Sequence, residues 1–147
     1  MKIFILYIFL IFIGGCQQKS NEKSVIQSDK APTAIGPYSQ AIKAGNHLYL
    51  AGQIAIDPQT NKFVEGGIEE QTKQVLSNIE AVLTEAGYNF DDVVQTQIYL
   101  LDMNDYATIN TIYASYFIKA PPARAVVQVA RLPKDALIEI MMVAVKT

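Results

Sequence analysis

Two charged residues stand out because each lies within an otherwise apolar segment. Arg124 opens the segment 124–127 (RAVV), and Glu139 lies inside 137–141 (LIEIM). A charge within an apolar strand is costly unless it is paired or used in a site. A functional site is one explanation, and a structural ion pair or a position at a solvated sheet edge is the other. The spacing of the two residues does not decide between these explanations.

The composition excludes several other kinds of chemistry. The 147 residues include one cysteine and one histidine, with no CxxC or HExxH pattern, so one chain predicts neither a disulfide framework nor a zinc site. The formal net charge is −2 and the basic residues are scattered, which argues against a nucleic-acid partner. His47 follows Gly45 and Asn46 and is interpreted as a residue beside a turn, since it has no orienting partner. We expect no metal and no cofactor.

The N-terminus has the features of a processing segment. Lys2 precedes an apolar run over residues 3–13, which has the length of a signal-peptide core. Residues 13–16 (IGGC) resemble the lipobox of bacterial lipoproteins, in which the cysteine is acylated. We therefore expect a signal peptide over residues 1–15, a lipidated Cys16 with a flexible tether over residues 16–30, and a folded domain over residues 31–147. An uncleaved anchor helix with an incidental thiol is the alternative.

The hydrophobic periodicity of residues 31–147 predicts seven elements. Gly87 is placed to end the first helix, Asn104 to cap the second, and Pro121-Pro122 to prevent its continuation. The predicted elements are strands 38–44 and 47–56, a helix over 68–86, a strand over 93–100, a helix over 104–117, and strands 124–130 and 137–145.

This β-β-α-β-α-β-β order predicts an α+β fold of two layers, in which both helices pack on one face of a single mixed sheet. The last strand, over 138–145 (IEIMMVAV), is apolar on both faces, so the second face needs a cover from subunit association. Tyr106, Tyr113 and Tyr116 follow helical spacing and are interpreted as core residues.

Four sequence blocks resemble the Rid (reactive intermediate deaminase) family in order and spacing. The resemblance covers about residues 31–146. It implies a chorismate-mutase-like fold, a homotrimer with three clefts between subunits, and hydrolysis of 2-aminoacrylate and related enamines or imines to 2-keto acids and ammonia. The blocks are residues 34–41 (AIGPYSQA), 51–54 (AGQI), 122–124 (PAR), and 129–135 (VARLPKD) with 138–140 (IEI).

The resemblance also implies roles for individual residues. Arg124 matches an arginine that grips the substrate carboxylate, a task suited to a planar fork with two parallel donors. Glu139 matches a carboxylate that orients or activates the attacking water. Tyr38 matches a tyrosine that reaches the cleft from the neighbouring subunit, and Gly52 matches a glycine whose backbone approaches the ligand.

Two positions in the expected substrate site depart from the family pattern. Ala51 stands where a serine is frequent, which removes a side-chain hydroxyl from the site. Val126 stands where a cysteine is frequent, which removes a thiol but leaves any backbone contacts possible. The reaction itself needs no thiol, because an iminium carbon is already electrophilic.

The sequence as a whole predicts an imine deaminase anchored by lipid to a bacterial membrane, outside the cytoplasm. Enamines from pyridoxal-phosphate enzymes arise mainly in the cytoplasm, so two alternatives stay open. One is a trimer of the same fold that binds carboxylate ligands without turnover. The other is a cytoplasmic location, as expected for family members that lack a signal peptide. RNA cleavage, sometimes ascribed to relatives, fits poorly with the acidic balance.

Overall fold

A six-stranded mixed sheet with two helices against one face forms the framework of the protein. The computed structural model describes residues 22–147. The strand order is β1-β2-β3-β8-β6-β7, in which β6 and β7 are parallel and all other neighbours are antiparallel. The elements are β1 (Lys23–Ile26), β2 (Ala41–Ala44), β3 (His47–Leu50), β4 (Ile56–Asp57), β5 (Lys62–Phe63), α1 (Ile68–Glu85), β6 (Val93–Leu100), α2 (Tyr106–Ala114), β7 (Ala123–Gln128) and β8 (Ile138–Val145).

The core lies between the helices and one face of the sheet. Alternate residues of β8 are fully buried on this face, while the residues between them point the other way. They pack against the apolar stripe of α1 and against Ile109 of α2. The predicted α+β fold of two layers is therefore confirmed. The buried residues of β8 are Ile138, Ile140, Met142 and Ala144, and those of the α1 stripe include Val75, Leu76, Ile79, Val82 and Leu83.

The C-terminal end of α1 lies where the sequence predicts it, whereas the start of α2 differs from the prediction. Gly87 adopts a positive φ of 79° directly after the cap residue of α1, as predicted. Asp105 holds the N-cap position of α2, and Asp102 caps the turn before it, where its side chain accepts a hydrogen bond of 2.9 Å from the N–H of Asn104. The prediction of Asn104 as the cap is wrong, because the chain first makes a 3₁₀ turn over Met103–Asp105.

The N-terminal part of the described chain also differs from the sequence analysis. Strand β1 lies within the segment expected to be a tether, and it pairs antiparallel with β2, Lys23 opposite Ala44. The side chain of Gln40 fixes the following segment through hydrogen bonds with the backbone of Ser28 and the carbonyl of Pro32. The expected tether is therefore too long. This polar segment is ordered because the edge of β2 supplies hydrogen-bond partners for its backbone. The composition of the segment does not reveal such partners.

Residues 1–21 are not among those that the structure describes, so the signal peptide and Cys16 lie outside the described residues. Between residues 22 and 147, no helix is long and apolar enough to cross a membrane.

The chain leaves the sheet earlier than predicted after β3. Strand β3 ends at Leu50 and not at residue 56. The next residues cross toward β8, where Gln53 and Ile140 exchange two backbone hydrogen bonds of 2.9 and 3.1 Å. This crossing places Ala51 and Gly52 directly beside Glu139.

The second face of the sheet carries apolar side chains and has no covering layer within the described part of the chain. Tyr49 of β3 is 49% exposed and Val127 of β7 is 45% exposed. Met141 and Val143 of β8 lie on this face between them. We refer to Tyr49, Val127, Met141 and Val143 as the open-face residues.

Candidate active site

Glu139 lies in a cleft on the open side of the sheet, where the backbone of Gly52 passes directly over its carboxylate. A Cβ atom at Gly52 would overlap the carboxylate oxygen of Glu139 and would lie 2.7 Å from its Cδ atom. A residue with a Cβ would therefore require the Glu139 side chain to move, and glycine alone avoids this because it lacks a Cβ. The family resemblance implied that Gly52 and Glu139 belong to one site, and in the structure the two residues are in contact.

The cleft around Glu139 has mostly apolar walls and a volume of about 220 Å³. The Tyr38 side chain is 47% exposed at its rim, and its hydroxyl accepts a hydrogen bond of 3.2 Å from the Ile35 N–H. Burial raises the pKa of Glu139 above its ordinary value, since the charged carboxylate is desolvated. A raised carboxyl pKa suits a group that exchanges protons near neutral pH. The lining residues are Ile35, Tyr38, Ala51, Gly52, Ile54, Pro133 and Glu139.

Arg124 is not part of this cleft. It lies on β7 opposite Thr96 of β6, and its side chain points to the helix side of the sheet. Glu139 lies on β8 opposite Tyr99 of β6 and points to the open side. The two predicted catalytic residues of one chain are thus on opposite faces of the sheet.

This placement bears on the alternative explanation of the two charges. The ion pairs of the described residues do not include an Arg124–Glu139 pair. The explanation of the two charges as a structural ion pair within one chain is therefore wrong. The recorded pairs are Lys73–Glu69, Lys119–Asp91 and Arg131–Asp135, all between exposed side chains.

Helix α2 holds the Arg124 guanidinium along one side. Nη2 of Arg124 donates to Oδ1 of Asn110 at 2.8 Å and to the hydroxyl of Tyr106 at 3.4 Å. Cζ lies 4.7 Å from the ring centroid of Tyr113 and 5.8 Å from that of Tyr106, which places both rings within cation–π range. These recorded hydrogen bonds use one nitrogen of the fork, which leaves Nε and Nη1 for a ligand.

A second cleft, of about 480 Å³, opens beside the guanidinium. Its polar groups are Arg124, Asn110 and Tyr113, and the remaining walls are apolar. A carboxylate bound by the guanidinium would therefore meet apolar surface around it. The lining residues are Asn110, Tyr113, Ala114, Phe117, Pro121, Pro122 and Arg124.

Three residues that contact Arg124 were not predicted from the sequence as part of a site. Tyr106, Asn110 and Tyr113 follow one another at spacings of four and three residues, so they share one face of α2. Tyr113 is buried as predicted and also contacts Arg124, whereas Tyr106 is 41% exposed and is not a core residue. The signal that could have found them is the run of three hydrogen-bonding side chains at helical spacing.

The other predicted site residues take different positions. Ala51 lines the Glu139 cleft. Val126 points to the same side as Arg124 but packs against the core. Exposed His47 stacks against Tyr49 with ring centroids 6.1 Å apart. Within residues 22–147, no group of three or more His, Cys, Asp or Glu side chains could hold a metal ion.

Together, the sheet, the two helices and the two clefts define a two-layer α+β protein that presents a guanidinium on one face of its sheet and a desolvated carboxyl group on the other. The family model described as Endoribonuclease L-PSP matches residues 28–146. The chain belongs to this family, whose members include proteins named RutC family proteins and Rid proteins.

Two relatives and one solved structure illustrate the similarity. A RutC family protein of Pyrococcus horikoshii is 57% identical over 124 residues, which cover 84% of this chain and 98% of the relative. The 2-iminobutanoate/2-iminopropanoate deaminase of Mus musculus is 46% identical over 124 residues, covering 84% and 92%. The crystal structure of E. coli TdcF with bound serine has a TM-score of 0.81 at 37% identity, covering 84% of this chain and 99% of that chain.

Proposed function

We propose that this protein hydrolyses small 2-imino acids and their enamine tautomers, such as 2-iminopropanoate and 2-iminobutanoate, to 2-keto acids and ammonia. The observation that carries the proposal is the Glu139 carboxyl group, held against Gly52 in an apolar cleft, with a raised pKa and no ion-pair partner among the described residues. A carboxyl group kept in this state is available to act on water and on a substrate nitrogen.

The chemistry requires one water molecule and no redox partner. Glu139 accepts a proton as the water oxygen bonds to the imine carbon, and the C=N double bond becomes a single bond. Glu139 then passes this proton to the nitrogen, which gives an amino alcohol. The hydroxyl proton moves to the nitrogen by way of Glu139 in the same manner, the C–N bond breaks, and ammonia leaves as the C=O bond of the keto acid forms. Arg124 holds the substrate carboxylate throughout, so the imine carbon stays within reach of the water. No cofactor enters this scheme.

A second copy of the chain is needed to complete the site. Arg124 and Glu139 of one chain lie on opposite faces of the sheet, so one substrate meets both residues when they come from different subunits. The apolar open-face residues provide a surface on which copies would meet. We propose a homotrimer with its sites between subunits. In such a trimer Tyr38, at the rim of the Glu139 cleft, is placed to reach across the subunit boundary into the site.

Two relatives support this choice of substrate. The mouse relative is named a 2-iminobutanoate/2-iminopropanoate deaminase, and the E. coli structure contains serine, an amino acid with the same carboxylate group. The family description names an endoribonuclease. A net charge of −2 without a basic stripe favours the small anionic substrate over RNA.

Substitution of Arg124 tests the proposal most directly. Arg124→Ala is expected to lower kcat/KM for freshly generated 2-iminopropanoate by about two orders of magnitude or more, and Arg124→Lys should recover little, because an ammonium group lacks the bidentate fork. Glu139→Gln should keep carboxylate binding but slow turnover. Lys73→Ala is the control, since that exposed cation pairs with Glu69 on α1 and lines neither cleft.

The outcomes separate the alternatives. An active wild type whose Arg124→Ala variant is equally active contradicts the substrate clamp. A wild type that binds carboxylates through Arg124 but releases neither ammonia nor keto acid is a binding trimer, for which the missing hydroxyl at Ala51 supplies a reason. Cleavage of RNA by the wild type, in the absence of imine hydrolysis, would favour the ribonuclease activity.

We also propose that the protein is a bacterial lipoprotein acylated at Cys16 and held outside the cytoplasm. This proposal depends on the apolar run over residues 3–13 and the IGGC sequence at residues 13–16. The six residues 17–22 then span at most about 25 Å between the lipid and β1, so the domain would lie close to the membrane surface.

A further inference from the structure

We propose that Tyr113 is a positioning residue for Arg124, and that its hydrogen bond to Thr96 fixes the ring on which the guanidinium rests. The inference rests on the proposed function, because it assigns Tyr113 and Thr96 to the carboxylate clamp. Neither residue needs to contact the substrate.

The geometry comes from three elements that meet at one point. Thr96 and Arg124 are paired neighbours on the parallel strands β6 and β7, and both side chains point to the helix side. Tyr113 of α2 lies over them, its ring centroid 4.7 Å from Cζ of Arg124. Its hydroxyl donates a hydrogen bond of 2.9 Å to Oγ1 of Thr96. One tyrosine therefore connects the neighbouring strand to the guanidinium.

The surroundings of Tyr113 make this contact rigid. Tyr113 is 5% exposed and Thr96 is 1% exposed. The ring of Phe117 also packs against the ring of Tyr113, with centroids 4.5 Å apart, and restricts its movement. Burial raises the pKa of Tyr113, so its hydroxyl keeps the proton that it donates to Thr96.

The arrangement has a consequence for ligand binding. An arginine side chain has many rotamers. If the side chain is free to move before binding, the entropy lost when the substrate orders it reduces the binding free energy. Asn110 accepts a hydrogen bond from Nη2 at one end of the fork, while the Tyr113 ring lies against the guanidinium carbon, Cζ. The remaining donors are thereby presented to a carboxylate in one orientation.

Three variants test the role of Tyr113. Tyr113→Leu removes the aromatic face and is expected to raise KM for 2-iminopropanoate about threefold to thirtyfold with kcat little changed, because the clamp acts equally in the ground and transition states. Tyr113→Phe keeps the face but releases the ring from Thr96, so KM should rise less. Thr96→Val should match Tyr113→Phe, and the double variant should be no worse than either single variant.

Tyr88→Phe is the matched control. Tyr88 is also buried, and its hydroxyl donates a hydrogen bond of 2.9 Å to the carbonyl of Asn46, remote from Arg124. It should lower the melting temperature without changing KM. If Tyr113→Leu lowers the melting temperature and leaves KM unchanged, Tyr113 is only a structural residue and the inference is overturned.

An NMR measurement keeps this test separate from the proposed function. The Tyr113 ring should shield the Arg124 side-chain Nε–H proton in the free protein, and Tyr113→Leu should shift that resonance whether or not imines are hydrolysed. A wild type without imine hydrolysis would overturn the proposed function, whereas an unchanged Arg124 resonance in Tyr113→Leu would overturn the positioning role alone.

Discussion

Gly52 and Glu139 show how one missing side-chain atom creates the candidate site. The backbone passes so close to the Glu139 carboxyl group that a Cβ would displace it. The same approach removes water from the carboxyl group, which is the physical reason that its pKa is raised. The catalytic role that we propose for Glu139 depends on the position of its carboxyl group, since a displacement of about 1 Å can cost a hundredfold in rate.

Gly52→Ala is therefore expected to lower kcat/KM for imine hydrolysis by about tenfold to a hundredfold, because the Glu139 side chain has to move away. Gly67→Ala is the matched control, since a Cβ at Gly67 meets nothing within 4 Å and its φ of −98° is open to alanine. Steady-state kinetics of the three proteins, with circular dichroism to verify folding, provide the measurement. Equal activity of Gly52→Ala and wild type would show that Glu139 does not need this position.

Helix α2 and strand β1 show how elements gain roles that their sequences only partly reveal. One face of α2 presents Tyr106, Asn110 and Tyr113 to Arg124, so the helix serves as a support for the clamp as well as a part of the core. Strand β1 forms one edge of the sheet, and it follows closely after Cys16, which we propose to be acylated. Under the proposed acylation of Cys16, only residues 17–22 would connect the membrane to the folded domain.

Cys16→Ala is expected to abolish acylation and precursor processing and to move the protein from the membrane fraction to the soluble fraction. The reason is that the acyl chains supply the anchoring energy, about 0.8 kcal/mol for each buried CH₂ group. Metabolic labelling with a fatty acid, followed by fractionation, measures both effects, and Ser20→Ala in the adjoining segment is the control. Unchanged labelling and partitioning of Cys16→Ala would contradict the lipoprotein proposal.

At the scale of the whole molecule, helices cover one face of the sheet, and none of residues 22–147 form a layer over the other. The open-face residues leave apolar surface in contact with water unless copies of the chain associate. The division of Arg124 and Glu139 between the two faces gives association a functional consequence, because a single chain cannot present both to one substrate.

The described domain is expected to have the mass of a trimer at micromolar concentration. Val143→Lys places a charge on the open face, away from the helices, and should shift the protein toward smaller species and reduce imine hydrolysis about tenfold or more. Thr84→Lys, at an exposed residue of α1 that lines neither cleft, is the control and should remain trimeric. Multi-angle light scattering measures the mass. A monomeric wild type, or a trimeric and fully active Val143→Lys, would contradict the proposed assembly.

The sequence by itself determined the elements whose signals are local. The periods of β6, β8 and α1 follow from side-chain alternation along a strand and a helix, and Gly87 ends α1 because glycine tolerates a positive φ. The sequence also identified Arg124 and Glu139 as charges in apolar strands, since that contrast is visible in the chain itself.

Only the tertiary structure decided which residues meet. Strand β1 depends on the edge of β2, and the support of Arg124 depends on the register that places it opposite Thr96 and beneath Tyr113. Pairing between distant segments is set by packing and strand register, neither of which is encoded in the composition of either segment. For the same reason the sequence did not reveal that the sheet places Arg124 and Glu139 of one chain on opposite faces.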